Sequence, residues 1–406
     1  MLNVFQKAWC RTYQGVFKIL IPMLPYRKPE LIEGVNSVNK LPAKIKELGY
    51  DSVLIVTDSV LKSLGLVDGL IDELKAEDIK VSLYDKTVPN PTIDNIEEAL
   101  AMYKENGCQA IIAFGGGSPM DCAKGVGARV ARPNKTIPQM KGLLKVIKKT
   151  PTLFAIPTTS GTGSETTLAA VVTNSETHEK YPINDFVLIP HYAVLDPTLT
   201  VGLPKHITST TGMDALTHAV EAYIGHSTTK ETREMAIKAT KLIFENLTKA
   251  YDDGKNIEAR DNMQHASFYA GVAFTVSYVG YVHAIAHTLG GFYHVPHGLA
   301  NSIILPYVLD YYGESAYKKL SELADVVGIE GASEEEKAKK FIQAIRDMNK
   351  YMDIPEKVSG IKEEDIPTMV KRALSEANPL YPVPKLMGKE EMTEMFNIIT
   401  EKVSKN

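Results

Sequence analysis

Of the ten histidines in this 406-residue chain, four fall between positions 283 and 297. The run is Val282-His283-Ala284-Ile285-Ala286-His287-Thr288-Leu289-Gly290-Gly291, continuing to Pro296-His297-Gly298. His283 and His287 are four apart in a stretch that favours helix, so they project from one helical face. Gly290-Gly291 is expected to end that helix, and His297, between a proline and a glycine, to sit on the turn beyond it. A helical face and a nearby loop then converge imidazole nitrogens on one point. Imidazole is a common metal ligand and the natural proton carrier near neutral pH. Any one of these histidines alone reads first as an ordinary surface or core residue. The apolar residues and glycines around the cluster favour convergence.

A carboxylate partner lies upstream, in Thr211-Gly212-Met213-Asp214-Ala215-Leu216-Thr217-His218-Ala219-Val220-Glu221. Asp214 and His218 are also i and i+4. Together with His283 and His297 they would offer one hard oxygen and three imidazoles. That set suits Fe(II) or Zn(II) and leaves a coordination position for substrate. His287 would face the same pocket without being needed as a ligand. The competing reading of Asp214 and His218 is a helix-surface ion pair.

The elements that must position these groups change character along the chain. Between 40 and 204, helix and strand alternate: helix over 42–48, strand over 52–56, helix over 70–75, strand over 80–84, helix over 93–105 and strand over 110–114. Continuous apolar strands in such a pattern imply a parallel sheet covered on both faces. Beyond Pro204 strand signals nearly vanish. Helical patterns follow over 208–224, 230–250, 258–275, 281–290, 301–312, 315–326, 333–351, 364–376 and 389–402. The chain therefore divides into an extension (1–30), an α/β domain (31–204) and a helical domain (205–406). With 44% hydrophobic and 23% charged residues and a net charge of −4, it reads as a soluble protein with ample core and no general affinity for nucleic acid. Cys10, Cys108 and Cys122 are too few and scattered for a disulfide framework, which fits a cytoplasmic location. No apolar run approaches a membrane span.

The extension carries Val4, Phe5, Ala8, Trp9, Tyr13, Val16, Phe17, Leu20 and Ile21 at helical spacing, and its charges are all basic until Glu30. Lys18 and Pro22 interrupt any signal-peptide core. An amphipathic helix on a membrane is one reading. A helix packed on its own protein or a symmetry mate is the expected one, so a membrane partner is not expected.

Two loops follow apolar strands. Gly115-Gly116-Gly117-Ser118-Pro119-Met120-Asp121 permits a tight turn and close approach of backbone N–H groups to an anion, with a helix starting near Pro119. Ile156-Pro157-Thr158-Thr159-Ser160-Gly161-Thr162-Gly163-Ser164-Glu165 offers hydroxyls and amides to ribose or phosphate oxygens. Either loop taken alone could be a structural turn or a helix cap. Asp58, at the end of a strand, is placed as a ribose-binding carboxylate would be, favouring NAD over NADP. It could equally be a helix N-cap.

These motifs, with Val88-Pro89-Asn90-Pro91-Thr92, recur in the same order in a known family. From about residue 31 to 402 the chain resembles the iron-containing (group III) alcohol dehydrogenases. The resemblance implies an N-terminal dinucleotide-binding α/β domain with a parallel sheet, an all-α C-terminal domain and a cleft between them. This is a dehydroquinate synthase-like architecture. It places the family's metal ligands on Asp214, His218, His283 and His297, and its non-ligand histidine near the nicotinamide on His287. Cofactor-binding positions carry over to Asp58, Asn90, Gly116, Gly117, Ser118, Asp121, Thr158, Thr159, Lys180 and Leu199. Phe274-Thr275-Val276-Ser277-Tyr278 departs from the Asn- and Gly-containing version of diol-specific relatives, and bulkier Val276 and Tyr278 would reshape the substrate pocket.

The expected activity is metal-dependent, reversible hydride transfer between nicotinamide and a small primary alcohol or its aldehyde. His287 is the expected proton relay. Fe(II) is the expected ion with Zn(II) as alternative, NAD the expected cofactor, and a homodimer the expected assembly. Two other readings compete. A dehydroquinate-synthase-type lyase would recycle NAD within one turnover, but it should show a basic cluster for a phosphorylated substrate. A non-catalytic membrane- or partner-bound protein would not need the ligand set.

Overall fold

A computed structural model describes residues 2–20, 26–176 and 179–401. They form two compact units: one takes the described residues from Tyr26 to Gly202, the other combines the N-terminal helix with the chain from Leu203 onward. Ile21 of the N-terminal repeat and residue 402 of the last expected helix lie outside the described residues.

The strands of the first unit are β1 (Glu30–Glu33), β2 (Ser52–Val56), β3 (Lys80–Tyr84), β4 (Ala110–Gly115), β5 (Gly142–Leu143), β6 (Thr152–Pro157), β7 (Ala169–Thr173), β8 (Lys180–Asn184) and β9 (Tyr192–Leu195). Six make a sheet in the order β1-β9-β6-β4-β2-β3, with every pairing parallel. Successive residues of β2 go to opposite apolar clusters: Leu54 and Val56 to one, Val53 and Ile55 to the other. That is why the strand reads as an unbroken apolar run: both sheet faces are covered. The other three strands form a small sheet ordered β5-β8-β7, in which β7 and β8 are antiparallel. It was not expected from the sequence, because β5 is two residues long and β8 carries Pro182.

The helices, in chain order, begin with α1 (Val4–Leu20), α2 (Leu41–Glu47), α3 (Ser59–Ser63), α4 (Asp68–Ala76), α5 (Ile93–Glu105) and α6 (Gly117–Ala131). From β2 the chain moves outward to β3, then returns past β2 to β4, so the strand order reverses between β2 and β4. In open parallel sheets, ligands bind beyond the carboxyl ends of strands at such a reversal. Asp58 follows β2, the glycine loop follows β4, and Thr158 follows β6 on the next strand.

The second unit continues with α7 (Lys205–Ile224), α8 (Lys230–Asp252), α9 (Ile257–Ser277), α10 (Tyr281–Tyr293), α11 (His297–Tyr312), α12 (Glu314–Val326), α13 (Glu334–Tyr351), α14 (Ile366–Ala377) and α15 (Lys389–Ile399). Every residue of α7 from Gly212 to Ile224 is buried, which makes it the axis of the unit. Gly212 is needed there: a Cβ would lie 2.2 Å from Leu247 Cδ1 of α8.

Two expectations need correction. Gly290-Gly291 does not end α10, which runs to Tyr293; His294, at φ 54°, is the left-handed cap and donates its N–H to Gly290 O. Pro296 cannot continue that helix and instead starts the next. His297 is therefore the first residue of α11, not a loop residue, and α11 begins four residues before the expected 301.

Helix α1 packs on its own protein, but by its polar side. Cys10 and Gln14 are its buried residues. Gln14 Nε2 donates to Pro379 O (3.1 Å) and Tyr381 O (2.7 Å), and Arg11 Nη1 to Val383 O (2.7 Å). No single described helix is long and apolar enough to cross a membrane.

Candidate metal centre

Three helices supply the cluster. Asp214 and His218 are one turn apart on α7, His283 is in the first turn of α10, and His297 opens α11. Their ligating atoms all lie within 4.8 Å of one another. Asp214, His218 and His283 are buried, while the His297 side chain is 34% exposed and forms the mouth. The approach of α11 to α7 depends on Gly298, where a Cβ would meet Thr210 O at 2.5 Å. A buried carboxylate beside three buried or half-buried imidazoles is costly without a cation, and the set matches Fe(II) or Zn(II).

The surroundings orient the donors. His283 Nδ1 lies 2.6 Å from Glu221 Oε2, which also accepts from Gly280 N at 2.8 Å, while Oε1 accepts from Val282 N at 2.9 Å. With Nδ1–H donated to Glu221, His283 presents Nε2 to the cluster. Burial and the three neighbouring imidazoles hold His283 well below the ordinary imidazole pKa, which keeps it in the neutral, ligating form. Gly280 is dictated by the same carboxylate: a Cβ there would be 2.6 Å from Glu221 Oε1. Asn301, fully buried one turn along α11 from His297, donates from Nδ2 to Asp214 Oδ1 at 2.6 Å. Its Oδ1 is buried and makes no hydrogen bond among the described residues.

His287 stands beside the cluster, its ring stacked at 5.1 Å on His297. Its Nδ1 is 2.7 Å from Glu376 Oε1, which also accepts from Tyr381 OH at 2.7 Å. Burial and Glu376 push the Tyr381 hydroxyl well above its ordinary pKa, so it remains a donor. Phe274 of α9 stacks on His218 with ring centroids 4.1 Å apart. Four residues on, Tyr278 caps α9 at φ 64° and ψ −180°, a backbone region suited to glycine.

Sequence reasoning did not assign roles to Glu221, Asn301, Glu376 or Tyr381. Glu221 had a signal, since Asp214, His218 and Glu221 follow i, i+4, i+7. Asn301 is i+4 from His297, a relation visible only once His297 is placed in a helix. Glu376 and Tyr381 are too far along the chain for spacing to reveal.

The expected cofactor residues lie in the α/β unit. Asp58 caps α3, its Oδ1 accepting from Val60 N (3.0 Å) and Leu61 N (2.9 Å). Gly115, at φ 150°, turns the chain out of β4, and Gly116 caps α6, which starts at Gly117, two residues before Pro119. A Cβ on Gly116 would be 3.4 Å from Thr159 Oγ1, and one on Gly117 3.2 Å from Thr162 Cγ2, so the two loops adjoin. Thr158 is buried, its N–H donating to Gly115 O. Asn90 donates its N–H to Ser118 Oγ (3.2 Å), and Lys180 Nζ donates to Asn90 Oδ1 (2.7 Å). Asp121 is held by structure, accepting from Ser164 Oγ (3.1 Å) and Val171 N (3.2 Å). Leu199 belongs to the apolar cluster under the sheet.

Comparison with known proteins agrees over both halves. Residues 29–197 match the family model for iron-containing alcohol dehydrogenase, and residues 208–400 the model for the C-terminal part of the Fe-containing alcohol dehydrogenase family. The 1,3-propanediol dehydrogenase of Klebsiella pneumoniae is 37% identical over 387 residues, covering 94% of this chain and 98% of that one. The NAD-dependent methanol dehydrogenase of Bacillus methanolicus is 37% identical, covering 86% and 92%. A solved 1,3-propanediol oxidoreductase superposes with a TM-score of 0.88 at 36% identity, covering 92% of this chain and 98% of that one.

Proposed function

The chain belongs to the iron-containing alcohol dehydrogenase family, and from that premise we propose that it interconverts a small primary alcohol and its aldehyde with NAD, using Fe(II). The observation that carries this reading is the convergence of Asp214, His218, His283 and His297 within 4.8 Å. These four would hold the ion. When bound, the ion lowers the pKa of a substrate hydroxyl or polarises a carbonyl, and the nicotinamide accepts or supplies hydride.

The chain's own residues do the rest. Glu221 fixes the His283 tautomer, and Asn301 holds the Asp214 carboxylate. His287, anchored through Nδ1 to Glu376, carries the substrate proton on Nε2. Phe274, stacked on His218, lines the site and bounds the substrate. In the α/β unit, the adjoining loops at 115–118 and 158–162 bind the pyrophosphate through backbone N–H groups and hydroxyls. Asp58 spends one carboxylate oxygen on the helix cap, and its Oδ2 is left to accept from a ribose hydroxyl, which supports NAD over NADP. Three free, buried cysteines support a cytoplasmic setting.

The test is anaerobic oxidation of NADH with short aldehydes, on metal-stripped protein reloaded separately with Fe(II) and Zn(II), with NADPH alongside. Metal-dependent turnover with NADH is expected, faster with Fe(II). Absence of turnover with every aldehyde, despite bound metal and NADH, would reject the reading.

A further inference from the structure

The side chains of His287 and Glu376 are 32% and 33% exposed, so burial alone does not fix the hydrogen bond between them. Tyr381 holds the carboxylate. It is buried, and its hydroxyl donates to the same Glu376 Oε1 that lies 2.7 Å from His287 Nδ1. Tyr381 belongs to a segment, 378–388, that has neither helix nor strand and joins α14 to α15. Pro379, Pro382 and Pro384 carry no N–H, which keeps this segment out of regular structure and leaves its carbonyls in need of other donors.

Helix α1 supplies those donors. Gln14, buried, donates from Nε2 to Pro379 O (3.1 Å) and to Tyr381 O (2.7 Å). Arg11, one turn earlier, donates to Val383 O (2.7 Å) and Pro384 O (2.9 Å). Arg11 Nη1 also donates to Gln14 Oε1 at 2.9 Å, which turns the Gln14 amide so that its N–H groups face the carbonyls. Two side chains thus clamp four carbonyls of one short segment. The stretch matched by the family model begins at residue 29, so α1 lies ahead of it.

A continuous path then runs from α1 to the imidazole: Gln14 to the Tyr381 backbone, Tyr381 OH to Glu376, Glu376 to His287. Its end decides chemistry. Only the tautomer with hydrogen on Nδ1 leaves His287 Nε2 as an acceptor. A carboxylate held at Nδ1 selects that tautomer and stops the ring from flipping. A half-exposed carboxylate released from Tyr381 would exchange the imidazole for water, and the ring would turn freely.

We propose that α1 is a positioning element of the active site: through Gln14, Tyr381 and Glu376 it sets the orientation and tautomer of His287. This rests on the reading of His287 as proton carrier in alcohol–aldehyde interconversion.

The test uses the full-length protein loaded with Zn(II) and isotope-labelled at its histidine ring nitrogens, in alkaline buffer where imidazole is neutral. The His287 resonances are those missing from His287→Gln. The parent should show one tautomer, with hydrogen on Nδ1. Gln14→Met keeps the length and loses the donor; Tyr381→Phe loses only the hydroxyl. Each should give His287 signals averaged between the two tautomers. Arg11→Met serves as the α1 variant if Gln14→Met folds poorly. In the Fe(II)-loaded variants kcat should fall about 10- to 100-fold, with metal content and the KM values for aldehyde and NADH at parent levels. The double variant should be no slower than the slower single one. An unchanged His287 tautomer in the α1 variants, an unchanged kcat, or effects that add in the double variant overturns the proposal. A parent with the Nδ1–H tautomer, lost in the variants, that reduces no aldehyde fails the dehydrogenase reading alone. A parent that turns over, with α1 variants that keep both tautomer and kcat, fails this proposal alone.

Discussion

Glu221 and His287 are both bonded to the cluster's surroundings, yet they should fail differently when replaced. Glu221 reaches the candidate ligands through His283 and holds the start of α10 through Gly280 N and Val282 N, so Glu221→Gln should weaken metal affinity about 10- to 100-fold, read by titration against a chelator. His287 lies outside the cluster of four candidate ligands. His287→Ala should lower turnover about 100-fold with metal content unchanged in elemental analysis. Unaltered turnover at every pH would remove His287 from proton transfer. All four candidate ligands were named from the sequence, three of them because i, i+4 spacing on a helix is a strong geometric statement, and His297 because it follows closely between a proline and a glycine. The supporting residues were less so. Glu376 reaches His287 across 89 residues of chain, and no local pattern encodes that contact.

At the scale of elements, two helices approach through one glycine. Gly298→Ala would put a Cβ 2.5 Å from a backbone oxygen of α7, which cannot rotate away. The variant should lose about 1–3 kcal/mol of stability and much of its metal affinity, because α11 carries His297 outward as it retreats. Denaturation and metal titration of the same preparation would show both. A strand junction offers a second case. His191, just before β9, donates its N–H to Leu153 O and accepts from Leu153 N through Nδ1, so the side chain must be neutral. Burial and the charge of Arg27 push its pKa down to about 4. Between the ordinary value of 6.5 and about 4, the unfolded chain binds a proton that the folded chain does not. Stability should therefore fall as pH drops through that window, by on the order of 2–3 kcal/mol, and show no such term above it. Urea unfolding of His191→Asn should lack this loss. The central strands were legible from their apolar runs, since burial on both faces leaves no room for polar residues. The small β5-β8-β7 sheet was not, because short strands that carry a proline at 182 resemble loops. The end of α10 was misjudged at Gly290-Gly291, where propensity gave way to packing and the real stop is His294 before Pro296.

The whole molecule shows what spacing cannot reach. The change from alternating strands and helices to helices alone was visible in the sequence, but the attachment of α1 to the helical unit rests on Gln14 and Arg11 meeting carbonyls more than 360 residues away. Nor does composition reveal which side of α1 faces out. A centre assembled from α7, α10 and α11 ties metal to folding of the helical unit. Chelator-stripped protein should melt several degrees lower, and restored Fe(II) or Zn(II) should raise it again in differential scanning calorimetry. Identical melting with and without metal would show that the four side chains do not bind an ion.

Asp214 and His297 have a further consequence because they stand about 80 residues apart in sequence, with His297 alone at the mouth of the cluster. An ion held between them is a removable cross-link that closes a long loop, so its loss releases chain entropy as well as coordination. Exchange should then be limited by opening of the helices and not by diffusion. The metal found in a purified sample would record which ion was abundant when the chain folded, more than which one binds best.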